Sequence, residues 1–372
     1  MSEVMDVVEI SPRNNPDLVG QEAAEQTLLD SWNADRLVHA WLLTGPRGIG
    51  KSTLAYRFAR FVLSEGSDGG GLFGDQPDFR PTSLALDPSD PVFRRVAAGG
   101  HADLKTVERT PNPKTGKLRT GIVVDDVREV KDFMRLTPAE GGWRVAIVDA
   151  ADEMNTHAAN AILKILEEPP ERALLLLVCH APGRLLPTIV SRCRRLPMHE
   201  LDESVVVDLL AQHLPDLPAD DRTALARLGE GSIGEALALA DAGGLELYGE
   251  VVRLMGSLGE LDVERVHKLG ALVSRRGSED KFATLRRLID RWLGAMIAAA
   301  ARGEALPEAI AGEAQVRRDL LARAPLEQWL EVWEKVTDLM ARAEGFNLDR
   351  KQVVISAFIS LAAAAGKDRR PH

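Results

Sequence analysis

The stretch His39-Ala40-Trp41-Leu42-Leu43-Thr44-Gly45-Pro46-Arg47-Gly48-Ile49-Gly50-Lys51-Ser52-Thr53 decides the fold. The apolar run from Ala40 to Leu43 reads as a buried strand, and a helical pattern begins at Thr53. Between them lies the spacing G-x-x-x-x-G-K-[ST], at Gly45, Gly50, Lys51 and Ser52. Its glycines let the backbone turn so tightly that successive N–H groups point into one concavity, and the start of the following helix adds partial positive charge. Lys51 has the reach to touch β- and γ-phosphates, and Ser52 has the hydroxyl that ligates Mg2+. The loop of Gly45, Pro46, Arg47, Gly48, Ile49, Gly50, Lys51, Ser52 and Thr53 is therefore the candidate site for ATP with Mg2+. Binding and turnover are separate questions, and the rest of the chain bears on the second.

Working outward, the chain has 372 residues, enough for two or three domains, with 45% hydrophobic and 27% charged residues, as expected of a soluble globular protein with a full core. Aromatics are only 5%, and Ala and Leu are abundant, so helix should dominate. The net charge of −10 argues against a protein that grips nucleic acid alone, because such affinity comes mainly from Lys and Arg neutralising phosphates. A local basic patch stays open. Two cysteines, Cys179 and Cys193, can build neither a disulfide framework nor a four-cysteine zinc site. No apolar run reaches the length of a membrane span. The acidic first residues lack the order of a signal peptide, so a cytoplasmic protein without membrane contact is expected.

Before the loop, residues 1–17 read as an extended lead-in, and 22–33 as a helix with Leu28, Leu29 and Trp32 on one face. After it comes a glycine-rich stretch, 64–81, then a short helix near 88–98 and a strand within 101–107. His101 with Asp103 is either a ligand pair or, with no cysteine nearby, a plain surface histidine. Asp125 reads as the cap of a helix from Asp126 to Leu136. Trp143 to Asp149 is a buried strand ending in a carboxylate, Met154 to Glu167 a helix stopped by Pro169-Pro170, and Ala173 to Cys179 another apolar strand. Residues 185–190 make a short helix before Ser191-Arg192-Cys193. Strands alternating with helices give a parallel, three-layered α/β sheet. Past Pro197 the chain turns helical. Short helices fill 204–242, Gly243-Gly244 is a hinge, and amphipathic helices are expected at 245–258, 261–275, 279–301, 307–323, 325–344 and 348–365. The boundaries that follow are 1–198, 199–243 and 244–372.

Asp149 sits where a P-loop protein places the acid that helps hold Mg2+, which makes Ser52 and Asp149 the candidate metal ligands by way of the nucleotide. The next residue is Ala150, where an active motor carries a Glu to polarise water. Asp152 or Glu153 could substitute, or Asp152 could cap a helix. Arg192 either inserts into a neighbour's site to stabilise a transferring phosphoryl group, or is a surface arginine paired with an acid. Arg184, Arg194 and Arg195 make its surroundings basic, a patch that could face DNA phosphates. Cys179 and His180 either sense a γ-phosphate or have no role there. Trp292, Trp329 and Trp333 are most simply core residues of the helical part. A self-sufficient ATPase motor and a small-molecule kinase are the competing readings, the kinase disfavoured by the long helical tail.

Together Gly45–Thr53, the Asp149 strand, Asn160-Ala161-Ile162-Leu163-Lys164-Ile165-Leu166-Glu167-Glu168-Pro169-Pro170 and Ser191-Arg192-Cys193 resemble the bacterial clamp-loader subunits of the AAA+ class, strongly over about residues 17–240 and by layout beyond. The resemblance implies a P-loop AAA+ domain, a small helical lid and an all-α collar that oligomerises. It also implies partners: the gamma/tau motor subunits and the delta subunit, and through the complex the sliding clamp and primed DNA. This chain lacks the four zinc-binding cysteines that motor subunits carry after the phosphate-loop helix, so no zinc is expected. It has Gly234 where the motors carry a nucleotide-sensing lid arginine. It keeps the Ser-Arg-Cys arginine as Arg192. The implied role is a stationary subunit that binds nucleotide without turning it over and donates Arg192 as an arginine finger in trans.

Overall fold

The computed structural model describes residues 11–66, 80–111, 116, 118–140, 142–275, 277–346 and 348–366. The lead-in before residue 11, most of the glycine-rich stretch (67–79) and the last six residues lie outside them. The chain divides into two compact units, Met1–Asp202 and Glu203–His372.

The first unit is a five-stranded sheet, β1 (Ala40–Thr44), β2 (Leu104–Val107), β3 (Arg144–Asp149), β4 (Ala173–Cys179) and β5 (Arg194–Pro197), in the order β2-β3-β4-β1-β5. Every pairing is parallel. Strands buried on both faces must be apolar throughout, which is why β1 and β4 are buried at every position. Their alternate side chains feed two cores. Trp41, Leu43, Ile147, Leu174 and Leu176 meet helices α1 (Glu22–Asn33), α2 (Lys51–Glu65) and α3 (Pro91–Ala97) through Leu28, Leu54, Phe58 and Val96. Ala40, Leu42, Val148, Leu175 and Leu177 meet α4 (Val124–Arg135), α5 (Thr156–Glu167) and α6 (Pro187–Val190) through Val127, Val130, Ile162 and Ile189. Each fully buried aliphatic side chain contributes roughly 1.5–3 kcal/mol.

Local chemistry sets the helix ends. In α5 the apolar Ala158, Ala159, Ile162, Ile165 and Leu166 recur at helical spacing and are buried. Its N-cap is Asn155, whose Oδ1 accepts the Ala158 N–H at 2.9 Å. The expected start at Met154 is thus two residues early, and Asp152 caps nothing here. Replacing Asn155 by Ala removes this bond and is expected to cost the first unit about 1 kcal/mol in chemical denaturation. An unchanged midpoint would show that the cap contributes nothing. Likewise α4 begins at Val124, with Val123 as its N-cap, so Asp125 lies inside the first turn instead of capping it. The Asp126 carboxylate accepts the Val123 N–H at 3.3 Å. The strand β5 was not expected. Only Leu196 of its four residues is buried, and Pro197 interrupts its N–H pattern.

The second unit is helical: α7 (Glu203–His213), α8 (Ala219–Gly229), α9 (Ile233–Asp241), α10 (Gly244–Gly256), α11 (Val263–Val273), α12 (Glu279–Arg302), α13 (Glu313–Arg323), α14 (Leu326–Phe346) and α15 (Arg350–Ala365). Trp292 and Trp329 are fully buried, as core residues should be, and Trp329 Nε1 donates to the Leu320 carbonyl at 3.1 Å. Trp333 is half-buried and donates to Asp290 at 2.8 Å. Helix α13 starts at Glu313, six residues later than the pattern suggests. Glu313 is wholly buried and accepts from Tyr248, Arg317 and the Ala309 N–H. That network pulls the preceding residues out of helical path. Among the described residues no helix is long and apolar enough to cross a membrane.

Candidate functional site

The phosphate loop leaves β1, an inner strand flanked by β4 and β5, and enters α2. Two of its glycines are required by geometry. A Cβ on Gly45, whose φ is 147°, would stand 2.3 Å from the Met198 carbonyl oxygen. Gly50 is the left-handed N-cap of α2, at φ 100°. No side chain caps α2, so the first N–H groups of a 15-residue helix are left for a ligand. Behind the loop, buried Gln21 donates from Nε2 to the carbonyls of Ile49, at 3.1 Å, and His199, at 2.8 Å. This brace was not read from the sequence. Its signal is an amide placed directly before α1 in Leu18-Val19-Gly20-Gln21.

Lys51 is 3% exposed. Its ammonium donates to the carbonyls of Gly45, at 2.7 Å, and Pro46. Burial lowers its pKa to about 8, against the opposing pull of Asp149. No carboxylate makes an ion pair with it among the described residues, so an incoming anion would relieve the cost of this buried charge. Ser52 Oγ donates to Asp149 Oδ2 at 2.5 Å, bringing together, across the end of β4, the two oxygens proposed to meet Mg2+. Two protein oxygens beside a polyphosphate suit an ion that keeps several of its waters. Among the described residues no group of three or more His, Cys, Asp or Glu side chains is placed to hold a metal on its own. The residues present fit a nucleotide with its Mg2+.

The carboxylates that follow Asp149 in sequence are engaged by other groups. Ala150 is buried and offers no carboxylate. The Asp152 carboxylate accepts the N–H groups of His180, at 2.8 Å, and Ala181, at 3.2 Å, so it fastens the turn after β4. Glu153 pairs with Arg109 at 2.7 Å and lies 4.0 Å from Arg47. Arg47, Arg109, Asp149, Glu153 and His180 share a cavity of about 280 Å3 beside the loop. Arg109, 44 residues upstream of Glu153 and in the coil after β2, is a site residue that no local pattern could reveal. Burial, and then Lys51, lower the His180 pKa, while burial and Asp152 push the Cys179 thiol up to about 12. At neutral pH both are uncharged.

Arg192 stands apart from this cluster. The register Trp41↔Arg194 and Thr44↔Pro197 puts it at the entering end of β5, whereas the phosphate loop leaves the opposite end of the neighbouring β1. It is exposed, pairs with Glu167 at 3.0 Å and donates to the Thr188 carbonyl at 3.1 Å. Of the basic residues near it in sequence, Arg194 lies over the Trp41 ring at 4.9 Å. Arg184 lines a groove with Arg109 and Arg119.

A family model described as "DNA polymerase III, delta subunit" matches residues 20–202. The chain is 36% identical over 214 residues to subunit delta' of DNA polymerase III from Pseudomonas aeruginosa, covering 58% of this chain and 59% of that one. It is 29% identical over 240 residues to subunit tau from Escherichia coli, covering 62% and 33%. The chain thus spans about three-fifths of the first relative's length and a third of the second's. A DNA polymerase III gamma subunit-related protein from Thermotoga maritima aligns over 91% of this chain and 99% of its own at 19% identity, with a TM-score of 0.37. The matched segment contains the phosphate loop, Asp149 and Arg192, and over that segment the sequence is similar to the delta', tau and gamma/tau subunits of DNA polymerase III.

Proposed function

We propose that this chain is a stationary subunit of the delta' kind in a DNA polymerase III clamp loader. It assembles with gamma/tau motor subunits and delta, in the cytoplasm, to load the sliding clamp on primed DNA. In this reading residues 1–198 form the AAA+ domain, 199–243 the lid and 244–372 the collar through which subunits assemble. The loop Gly45–Thr53 binds ATP, with Ser52 and Asp149 toward Mg2+, which when bound would neutralise phosphate charge.

The observation that carries the proposal is the state of the carboxylates around Asp149. Ala150 has none, Asp152 is committed to two backbone N–H groups, and Glu153 is held by Arg109. None is free to polarise an attacking water, so the chain holds nucleotide without hydrolysing it. The position of Arg192 supports its role as a finger in trans. It lies at the end of the sheet away from its own phosphate loop, and two exposed contacts, the pairing with Glu167 and the bond to the Thr188 carbonyl, each worth at most about 1 kcal/mol, must open to release it. The lid position Gly234 carries no guanidinium, and its neighbour Glu235 is already bound to Arg287 at 2.6 Å.

The test is Arg192→Ala in a complex rebuilt with gamma/tau and delta. ATP turnover by the complex should fall, most sharply in single turnover at the adjacent motor site, while this chain's own affinity for a fluorescent ATP analogue stays unchanged. Brisk hydrolysis by the purified chain alone, independent of Arg192, would make it a motor instead.

A further inference from the structure

A second cavity, of about 190 Å3, opens at the entering end of the edge strand β2 and shares no residue with the cavity beside the phosphate loop. Arg13, Gly99, His101 and Thr106 line it, and no acidic residue does. His101, read from the sequence as a ligand or a surface residue, does not lie at the surface: it is 5% exposed. Its Nδ1 accepts the Asp103 N–H at 3.2 Å, so the neutral ring carries its proton on Nε2. That Nε2–H has no hydrogen-bond partner. The nearest carboxylate, Glu140, is 4.0 Å away and already holds Arg95 through both oxygens.

The other groups are donors too. Arg13 donates to the Tyr56 hydroxyl at 3.3 Å, and Tyr56 donates to Thr106 Oγ1 at 3.1 Å. The Thr106 proton at the end of this chain has no acceptor among the described residues. Nor does the Arg13 guanidinium meet a carboxylate there; it lies over the Tyr56 ring at 5.6 Å. Gly99, at φ 72°, makes room for it, since a Cβ would stand 2.6 Å from Arg13 Nη1. Lys105 also lines the cavity, but Glu129 holds its ammonium at 2.8 Å. A pocket that offers one guanidinium without a carboxylate and a free hydroxyl proton beside a buried N–H, with no acidic residue in its lining, is complementary to a small oxyanion.

We infer that this cavity binds a free tetrahedral oxyanion of the size of inorganic phosphate, held by Arg13 and Thr106 against the buried His101 ring. The bound anion ties the segment before α1 to the edge of the sheet. The cavity's small volume, about 190 Å3, suits a free ion better than a nucleic-acid backbone.

Inorganic phosphate is titrated into the full chain carrying Lys51→Met, which weakens the competing phosphate loop. The His101 and Tyr56 ring resonances are followed. They should shift together along a single saturable curve, and the melting temperature should rise with phosphate. Adding Arg13→Gln, or Thr106→Val, which keeps the shape, should weaken binding at least about tenfold (about 1.4 kcal/mol). Either variant, placed in the parent chain, should leave affinity for an ATP analogue unchanged. Resonances that stay still at tens of millimolar phosphate, an affinity indifferent to both substitutions, or shifts caused only by a single-stranded oligonucleotide and not by phosphate would each overturn the assignment.

Discussion

Replacing Lys51 with methionine is expected to weaken binding of an ATP analogue by about a hundredfold and, in the same variant, to stabilise the nucleotide-free protein. The first effect follows from loss of a charge-assisted contact to phosphate, worth about 1.5–3 kcal/mol, at the only ammonium inside the loop Gly45–Thr53. The second follows from burial. Lys51 titrates near pH 8 in the folded chain and near its ordinary 10.5 when unfolded. Between those values the unfolded chain binds the extra proton, so the parent's stability rises with pH across that window. Below pH 8 the cost of the buried charge is present in full, about 3 kcal/mol. The methionine variant lacks it, so its advantage should be largest at pH 7 and fade toward pH 10. Bound phosphates favour the charged lysine, so the parent's nucleotide affinity should fall as pH rises past 8. Nucleotide titrations and chemical denaturation at pH 7, 8 and 9 read all three effects. Binding within a few-fold of the parent would remove the loop from the nucleotide site.

The phosphate loop was legible because each of its requirements is local. Apolar strand, glycines and the Lys-Ser pair stand within fifteen consecutive residues, and the positive φ values at Gly45 and Gly50 are conformations that glycine alone adopts easily. The parallel sheet was legible for a similar reason: β1, β3 and β4 are apolar almost throughout, as strands covered on both faces must be. The strand β5 was not, because an edge strand of two arginines, one leucine and a proline has no pattern of its own; Arg194 earns its place only by lying over Trp41 of the adjoining strand. The surroundings of Asp149 were half legible. Ala150 is plain in the sequence. That Asp152 would fasten the His180 turn, and that Arg109 would reach Glu153, depends on segments 28 and 44 residues apart, which only the fold brings together.

The same long-range logic makes Asp103→Ala the largest expected loss of stability. Asp103 is 1% exposed. Its Oδ1 accepts the Ala139 N–H at 2.8 Å, its Oδ2 accepts the Glu140 N–H at 3.1 Å, and Arg144 lies 3.3 Å from Oδ1. Arg144 is itself buried, with its guanidinium over the Phe133 ring at 4.7 Å. Alanine would leave that cation buried without its counter-ion and two N–H groups without acceptors. Breaking a buried pair from one side costs about 3–5 kcal/mol, which for a unit of this size is roughly a 10 °C fall in melting temperature. Asp103→Asn should lie between, since the amide keeps one acceptor but turns a donor toward the second N–H. The carboxylate also anchors the turn that orients His101, so the alanine variant should lose the phosphate response of His101 even where enough native protein remains to measure it. A denaturation midpoint within about 1 kcal/mol of the parent would mean that water reaches Arg144 and replaces the carboxylate, contrary to the burial of both partners.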